Sequence, residues 1–152
     1  MRANEFLNES LTSNIPYKIV NTDNNAFSTI AWFDSSRSVT FNANSMEVFG
    51  KPDHWEVEFY EEKLGKRGLT FAKTGSGSEL QVFSFVIKSL TEMIERYNPE
   101  VIRFGSDKSD ENRTRLYKRM VDRFAPKLGY ELDRLLSRTR DDMFVIKRKN
   151  RG

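Results

Sequence analysis

Cysteine is absent from this sequence of 152 residues, and histidine occurs only once. The lack of cysteine excludes a disulfide framework and thiolate metal sites, and a single histidine argues against a zinc site of the usual Cys/His kind. Long apolar runs are also absent. No stretch approaches the roughly 18 apolar residues of a membrane helix, and no apolar core of a secretory signal follows the N-terminus. We therefore expect a soluble, cytoplasmic protein with no metal and no membrane partner.

The composition otherwise suits a folded domain. Hydrophobic residues make up 38% of the chain and aromatic residues 12%, which argues against disorder despite a charged fraction of 31%. A chain of this length can bury most of its apolar surface as one unit. We expect a single domain over residues 1–152, with a polar, loosely ordered N-terminal arm at 1–16 and a basic tail at 148–152.

Apolar and polar residues alternate in several segments, as they do in half-buried strands. The segment 26–43 is rich in aromatic and β-branched residues around a polar turn, which predicts a hairpin. Charged or polar turns are predicted at 61–68 and 105–110. Further strands are predicted at 17–20, 55–60, 69–72, 101–104, 130–136 and 143–146.

Two segments carry the apolar spacing of helices. Ser78–Tyr97 places an apolar residue every three to four positions, begins at a good N-cap residue and stops at Asn98-Pro99. A second helix is predicted at 111–124, with the buried face Leu116, Met120, Val121 and Phe124. The order of elements predicts an α/β fold, more narrowly α+β, in which helices pack on a mixed sheet.

A glycine-rich turn, Thr74-Gly75-Ser76-Gly77-Ser78, connects a predicted strand to the first helix. Glycine lets the backbone approach a ligand closely, and the start of a helix offers unsatisfied N–H groups and a partial positive charge. Such a turn suits a phosphate group. The other interpretation is an ordinary strand-to-helix connection, since glycine and serine are favoured in any turn. The spacing does not match a Walker A loop and does not support a dinucleotide fold.

This turn, the long helix, the next strand, and a helix with Leu116-Tyr117 before Leu128-Gly129-Tyr130 resemble the C-terminal half of the GNAT-type N-acetyltransferase superfamily. The resemblance covers about residues 55–148. It implies a mixed, mostly antiparallel twisted sheet with helices on both faces. It also implies that the strand at 69–72 splays from the strand at 101–104, leaving a gap for the pantetheine arm of acetyl-CoA. Divergent GNAT-like proteins encoded by tailed bacteriophages are similar in size and motifs.

The resemblance implies a binding site as well. In that family the glycine turn receives the pyrophosphate of acetyl-CoA through backbone N–H groups, and a tyrosine protonates the departing thiolate. The matching tyrosine is Tyr117. Ala72 stands where the family usually has Gln or Arg, so Lys73 would have to substitute for that side chain. The implied cofactor-binding residues are Phe71, Lys73, Thr74, Gly75, Ser76, Gly77 and Ser78.

The implied reaction needs a base to deprotonate the amine of a small-molecule or protein acceptor. Glu56 and Glu58 are the candidates, and we assign the role to Glu58; the alternative is that both are solvated strand residues. Tyr117 has the alternative role of a core residue with its hydroxyl at the edge.

Residues 103–127 are strongly basic, and helical spacing puts Arg115, Lys118, Arg119 and Asp122 along one exposed stripe. Contact with nucleic acid or with the 3′-phosphate of CoA is one interpretation. A solvated face, partly neutralised by nearby acids, is the other and is favoured, because no exposed aromatics are interleaved for stacking. The sequence is therefore compatible with three functions: an acyl-CoA-dependent N-acyltransferase, a GNAT-like binding or structural protein without catalysis, and a nucleic-acid-binding module.

Overall fold

The computed structural model describes residues 16–34, 37–47, 50–51, 53–63, 66–68, 78–107, 111–137, 139 and 141–149. After Arg119, the second helix continues as a π-helical turn and then a 3₁₀ turn. The elements are β1 Tyr17–Thr22, β2 Ala26–Asp34, β3 Arg37–Ser45, β4 His54–Lys63, β5 Lys66–Gly68, α1 Ser78–Tyr97, β6 Val101–Asp107, α2 Glu111–Arg119, the π turn Met120–Phe124, the 3₁₀ turn Pro126–Leu128, β7 Tyr130–Ser137 and β8 Asp141–Arg148.

The strands form one mixed sheet in the order β1-β2-β3-β4-β6-β8-β7, with β5 paired to β4. Every pair is antiparallel except β4 with β6. That pair is parallel because α1 carries the chain back along the sheet between the two strands. The predicted α/β fold with a mixed, mostly antiparallel sheet is confirmed.

One face of the sheet carries the core. Cross-strand partners place alternate residues of β2, β3, β4, β6 and β8 on this face. Tyr97 of α1 packs on Trp55 with ring centroids 4.4 Å apart, and Tyr117 of α2 packs on Phe104 at 5.4 Å. Both described α-helices therefore contact this one face, whereas the resemblance predicts helices on both faces. The buried residues of this face include Ala31, Val39, Phe41, Val57, Phe59, Ile102, Phe104, Phe144 and Ile146.

Helix α1 has the bounds that the sequence predicts. Asn98, directly after the helix, adopts a positive φ of 46°, and its N–H donates to the carbonyl of Ile94 over 2.8 Å. Asparagine tolerates this left-handed conformation better than most residues, and Pro99 cannot continue the helix. The local chemistry therefore determines where α1 ends.

Two predicted turns are wrong. Strand β4 continues to Lys63, and β5 returns along it, where a charged turn is predicted at 61–68. Strand β6 continues to Asp107, where a polar loop is predicted from Gly105, because β8 pairs with it over its whole length. Cross-strand hydrogen bonding outweighs the weak strand preference of these polar residues.

The predicted helix at 111–124 is α-helical only as far as Arg119. The N–H of Ala125 donates to the carbonyl of Met120 over 2.9 Å, an i to i+5 bond that defines the π turn. Met120, Val121 and Phe124 are buried as predicted, whereas the side chain of Leu116 lies outside the described residues. The π turn absorbs one extra residue before the chain reaches Pro126.

Candidate functional site

The parallel pair of β4 and β6 is short. It begins with His54 opposite Val101 and ends with Val57 opposite Phe104. Beyond this joined stretch each strand follows its other neighbour: Glu58 remains opposite Asn42 of β3, and Gly105 remains opposite Met143 of β8. The sheet therefore parts here. We call the gap between residues 58–60 of β4 and 105–107 of β6 the slot.

The strand that parts from β6 is β4. The sequence predicts this splay for the strand at 69–72, which lies outside the described residues. Among the described strands β6 has β4 and β8 as its neighbours, so the parting seen here is between β4 and β6, and the predicted splay of residues 69–72 stays a prediction.

Helix α1 begins at the slot end of the sheet. Its last residue, Tyr97, contacts Trp55 in the joined stretch, whereas Phe85, in the first half of the helix, contacts Tyr17 with ring centroids 6.0 Å apart. The cross-strand row of Tyr17 leads through Ala31 and Val39 to Glu61, beyond the point of parting. The unsatisfied N–H groups and the positive dipole end of α1 therefore lie toward the slot.

The predicted cofactor-binding turn immediately precedes this helix. Ser78 is the first residue of α1. The remaining predicted positions lie outside the described residues, and their roles stay predictions: Phe71, Lys73, Thr74, Gly75, Ser76 and Gly77.

Tyr117 lies beneath the point where the strands part. The centroid of its ring lies 5.2 Å from that of Phe59 in β4, 5.4 Å from that of Phe104 in β6 and 6.3 Å from that of Phe144 in β8. Phe104 belongs to the last joined pair and Phe59 lies beyond it, so Tyr117 bridges both sides of the parting. Its side chain is fully buried, although the core interpretation predicts a hydroxyl at the edge of the core.

Glu58 and Glu56 lie on the opposite face from Tyr117 and are exposed. Glu58 is the first β4 residue beyond the joined stretch, whereas Glu56 lies within it, opposite Arg103. Of the two predicted bases, only Glu58 therefore borders the slot. The structure does not bring Glu58 and Tyr117 together on one face, and they border the parting from its two sides.

Sequence reasoning missed Glu61, which is 5% exposed. Its Oε1 accepts a hydrogen bond from Nε of Arg37, whose guanidinium also lies 5.2 Å from the ring centroid of Phe33. Oε2 of Glu61 has no hydrogen-bond partner in the part of the chain that the structure describes. A signal was available: Glu61 continues the buried alternation of Trp55, Val57 and Phe59, so its side chain points to the core.

The remaining predictions from the sequence concern the basic stripe, metal binding and membrane-spanning helices. Arg115, Lys118 and Arg119 are exposed, as the solvated basic stripe predicts. Within the described ranges, no group of three or more acidic or histidine side chains could hold a metal ion. No helix in those ranges has the length and apolar character to cross a membrane.

Solved structures share this architecture. The IAA acetyltransferase from Bacillus cereus ATCC 14579 matches with a TM-score of 0.51 and 9% identity, covering 90% of this chain and all of that chain. An acetyltransferase from Bacillus subtilis in complex with CoA matches with a TM-score of 0.49 and 10% identity, covering 90% of this chain and 100% of that one.

The chain has a GNAT-like fold. No protein-family model matches the sequence, and no curated protein matches it. At this level of identity the likeness shows the fold alone.

Proposed function

We propose that this protein is an acyl-CoA-dependent N-acyltransferase that moves an acetyl group from acetyl-CoA to the amine of a small molecule or a protein. The observation that carries the proposal is the parting of β4 from β6 at the end of the sheet where α1 begins. In the acetyltransferase fold, a gap at this place takes the pantetheine arm of the cofactor.

The turn Thr74–Ser78 is the proposed site for the CoA pyrophosphate. Backbone N–H groups at Gly75 and Gly77 would donate to the phosphate oxygens, and the dipole of α1 would favour their charge. The side chain of Ala72 has no hydrogen-bond donor, so Lys73 is the proposed cation beside the phosphates, with Phe71 leading into the turn.

The proposed reaction joins the amine to the thioester carbonyl carbon. A C–N bond forms, the C–S bond breaks, and the CoA thiolate takes a proton from the Tyr117 hydroxyl. The amine proton passes to the Glu58 carboxylate, directly or through a water. Glu58 and Tyr117 border the parting from opposite faces, so the proposal gives the deprotonation of the amine and the protonation of the thiolate to two separate groups.

A second candidate is a GNAT-like binding or structural protein that has lost catalysis. The full burial of Tyr117 and the alanine at position 72 favour it. Under this alternative the slot could still bind CoA, but no acetyl group would be transferred. Binding and turnover therefore have to be measured separately.

Isothermal titration of the full chain with acetyl-CoA and with CoA tests the proposal. We expect saturable binding with a dissociation constant between about 1 μM and 1 mM, the usual range for enzyme substrates. The variant Gly77→Val should weaken binding about tenfold or more, because its branched side chain obstructs the close approach of the backbone to phosphate.

The matched control is Gly50→Asn. Gly50 has a φ of 73°, nothing lies within 4 Å of the place that a Cβ would occupy, and asparagine tolerates this backbone. The affinity of the Gly50→Asn variant for CoA should equal that of the wild type. Lack of heat at millimolar ligand would contradict the acyl-CoA proposal, and binding without release of CoA thiol from acetyl-CoA, tested with a panel of amines, would favour the second candidate.

A further inference from the structure

Strand β7 forms one edge of the sheet, with β8 as its described neighbour. After the buried Tyr130 every residue of the strand is exposed. An edge strand presents backbone N–H and C=O groups on its outer side that can pair with another strand.

Three exposed leucines lie on this edge. Leu132 is 47% exposed, Leu135 51% and Leu136 38%. Within the described residues, the other large apolar side chains with comparable exposure are Val20 and Trp32, which lie on β1 and β2. Exposed apolar groups concentrated on one short strand are typical of an interaction surface.

A β-bulge in β7 alters which leucines share a face. The register shifts between Leu132 and Arg134, so that Leu132 opposes Ile146 and Leu135 opposes Phe144, both on the helix-covered face. On a regular strand residues three apart point to opposite faces, and the extra residue of the bulge removes that difference. Glu131 and Leu136, opposite Lys147 and Met143, share the other face.

This arrangement is self-complementary. A two-fold axis perpendicular to the sheet, placed between Asp133 and Arg134, sets Leu132 opposite Leu135 of a second copy. The same axis sets Asp133 opposite Arg134 of the second copy, so that opposite charges meet twice. A shift of one position would instead oppose Asp133 to itself or Arg134 to itself, and like charges directly opposite are destabilising.

We propose that β7 pairs antiparallel with β7 of a second copy, forming a homodimer in which one sheet runs through both molecules. Closed two-fold symmetry of this kind is the commonest form of soluble oligomer. The pairing does not depend on acyltransferase activity.

Sedimentation of the full chain at about 1 to 100 μM tests the pairing, because an edge-strand dimer should dissociate on dilution. We expect the wild type to sediment as a dimer at the upper concentrations. Each single variant, Asp133→Arg and Arg134→Asp, should raise the dissociation constant about tenfold or more, since both symmetric charge pairs become repulsive. The double variant D133R/R134D should restore the dimer, because it exchanges the two charges.

The matched control is Val20→Lys on β1, the other edge of the sheet, which should leave the dimer intact. Circular dichroism of each variant reports retained folding. A monomeric wild type at the highest concentration, a double variant no better than the single ones, or equal dissociation by Val20→Lys would each overturn the proposal.

Discussion

The two ends of the border between β4 and β6 differ in chemistry. At the joined stretch, Trp55 and Val57 face Ile102 and Phe104 in a wholly apolar row, and the N–H groups of Glu100 and Val101 both donate to the carbonyl of Asp53, at 2.9 and 3.1 Å. Beyond it lie the part-buried ion pair of Arg37 with Glu61, the buried Tyr117 and the exposed Glu58. One strand thus contributes stability at its start and the candidate site further along.

The largest expected effect breaks the joined end. Trp55→Ala should lower the free energy of unfolding by about 3–5 kcal/mol, because it removes a buried ring that packs on Tyr97. The matched control is Trp32→Ala, since Trp32 is 58% exposed; its cost should stay within about 0.5 kcal/mol. Urea unfolding measures both, and equal costs would contradict the division of roles between the two ends.

The next effect concerns the parted end. Tyr117→Phe keeps the ring contacts with Phe59 and Phe104 but removes the proposed acid, so kcat should fall about 100-fold. The control is Tyr130→Phe, a buried tyrosine remote from the slot, which should leave kcat unchanged. Release of CoA thiol from acetyl-CoA measures the rate. An unchanged rate in Tyr117→Phe would assign Tyr117 to the core alone.

The smallest effect is expected at Tyr130, which lies near the joined end of the border between β4 and β6. It is a change in how stability depends on pH. Burial raises the pKa of Tyr130 to about 12 from the ordinary 10.0, with Arg148 acting in the opposite direction. Because the folded state holds this proton more tightly, the associated stability is complete below pH 10 and is lost as the pH rises toward about 12.

Tyr130→Phe should cost about 1 kcal/mol at neutral pH, since its hydroxyl donates to the carbonyl of Pro99. The variant should also lose less stability than the wild type between pH 10 and 12, the window of the raised pKa. Tyr17 and Tyr97 retain raised pKa values, so part of the decline remains. Urea midpoints across this range would contradict the assignment if both proteins declined equally.

Local chemistry made some elements predictable. The spacing of apolar residues and the Asn98-Pro99 stop suffice to predict α1, and alternation suffices to predict most strands. Alternation failed where polar residues continue a strand, because pairing with a neighbour, which the local pattern does not encode, decides whether residues 105–107 extend β6.

The candidate site was predictable only in part. The spacing of the second helix favours Leu116 for the core, but the chain also buries Tyr117 against rings from three strands that are distant in sequence. The point of parting depends on which strand lies beside β6. The alternation of apolar and polar residues indicates which face of the sheet a side chain lies on, but not which strands are neighbours. Glu61 was the exception, since its position in the alternation already placed it inward.

The short parallel contact between β4 and β6 also has a kinetic consequence. Strands β1 to β4 pair through short connections, so their contacts are local, whereas β6 pairs with β4 across a connection that contains all of α1. Closing a longer loop costs more chain entropy, and non-local pairing slows folding. We therefore expect strands β6, β8 and β7 to dock onto strands β1 to β4 late during folding. The slot between β4 and β6 would acquire its shape only in that step.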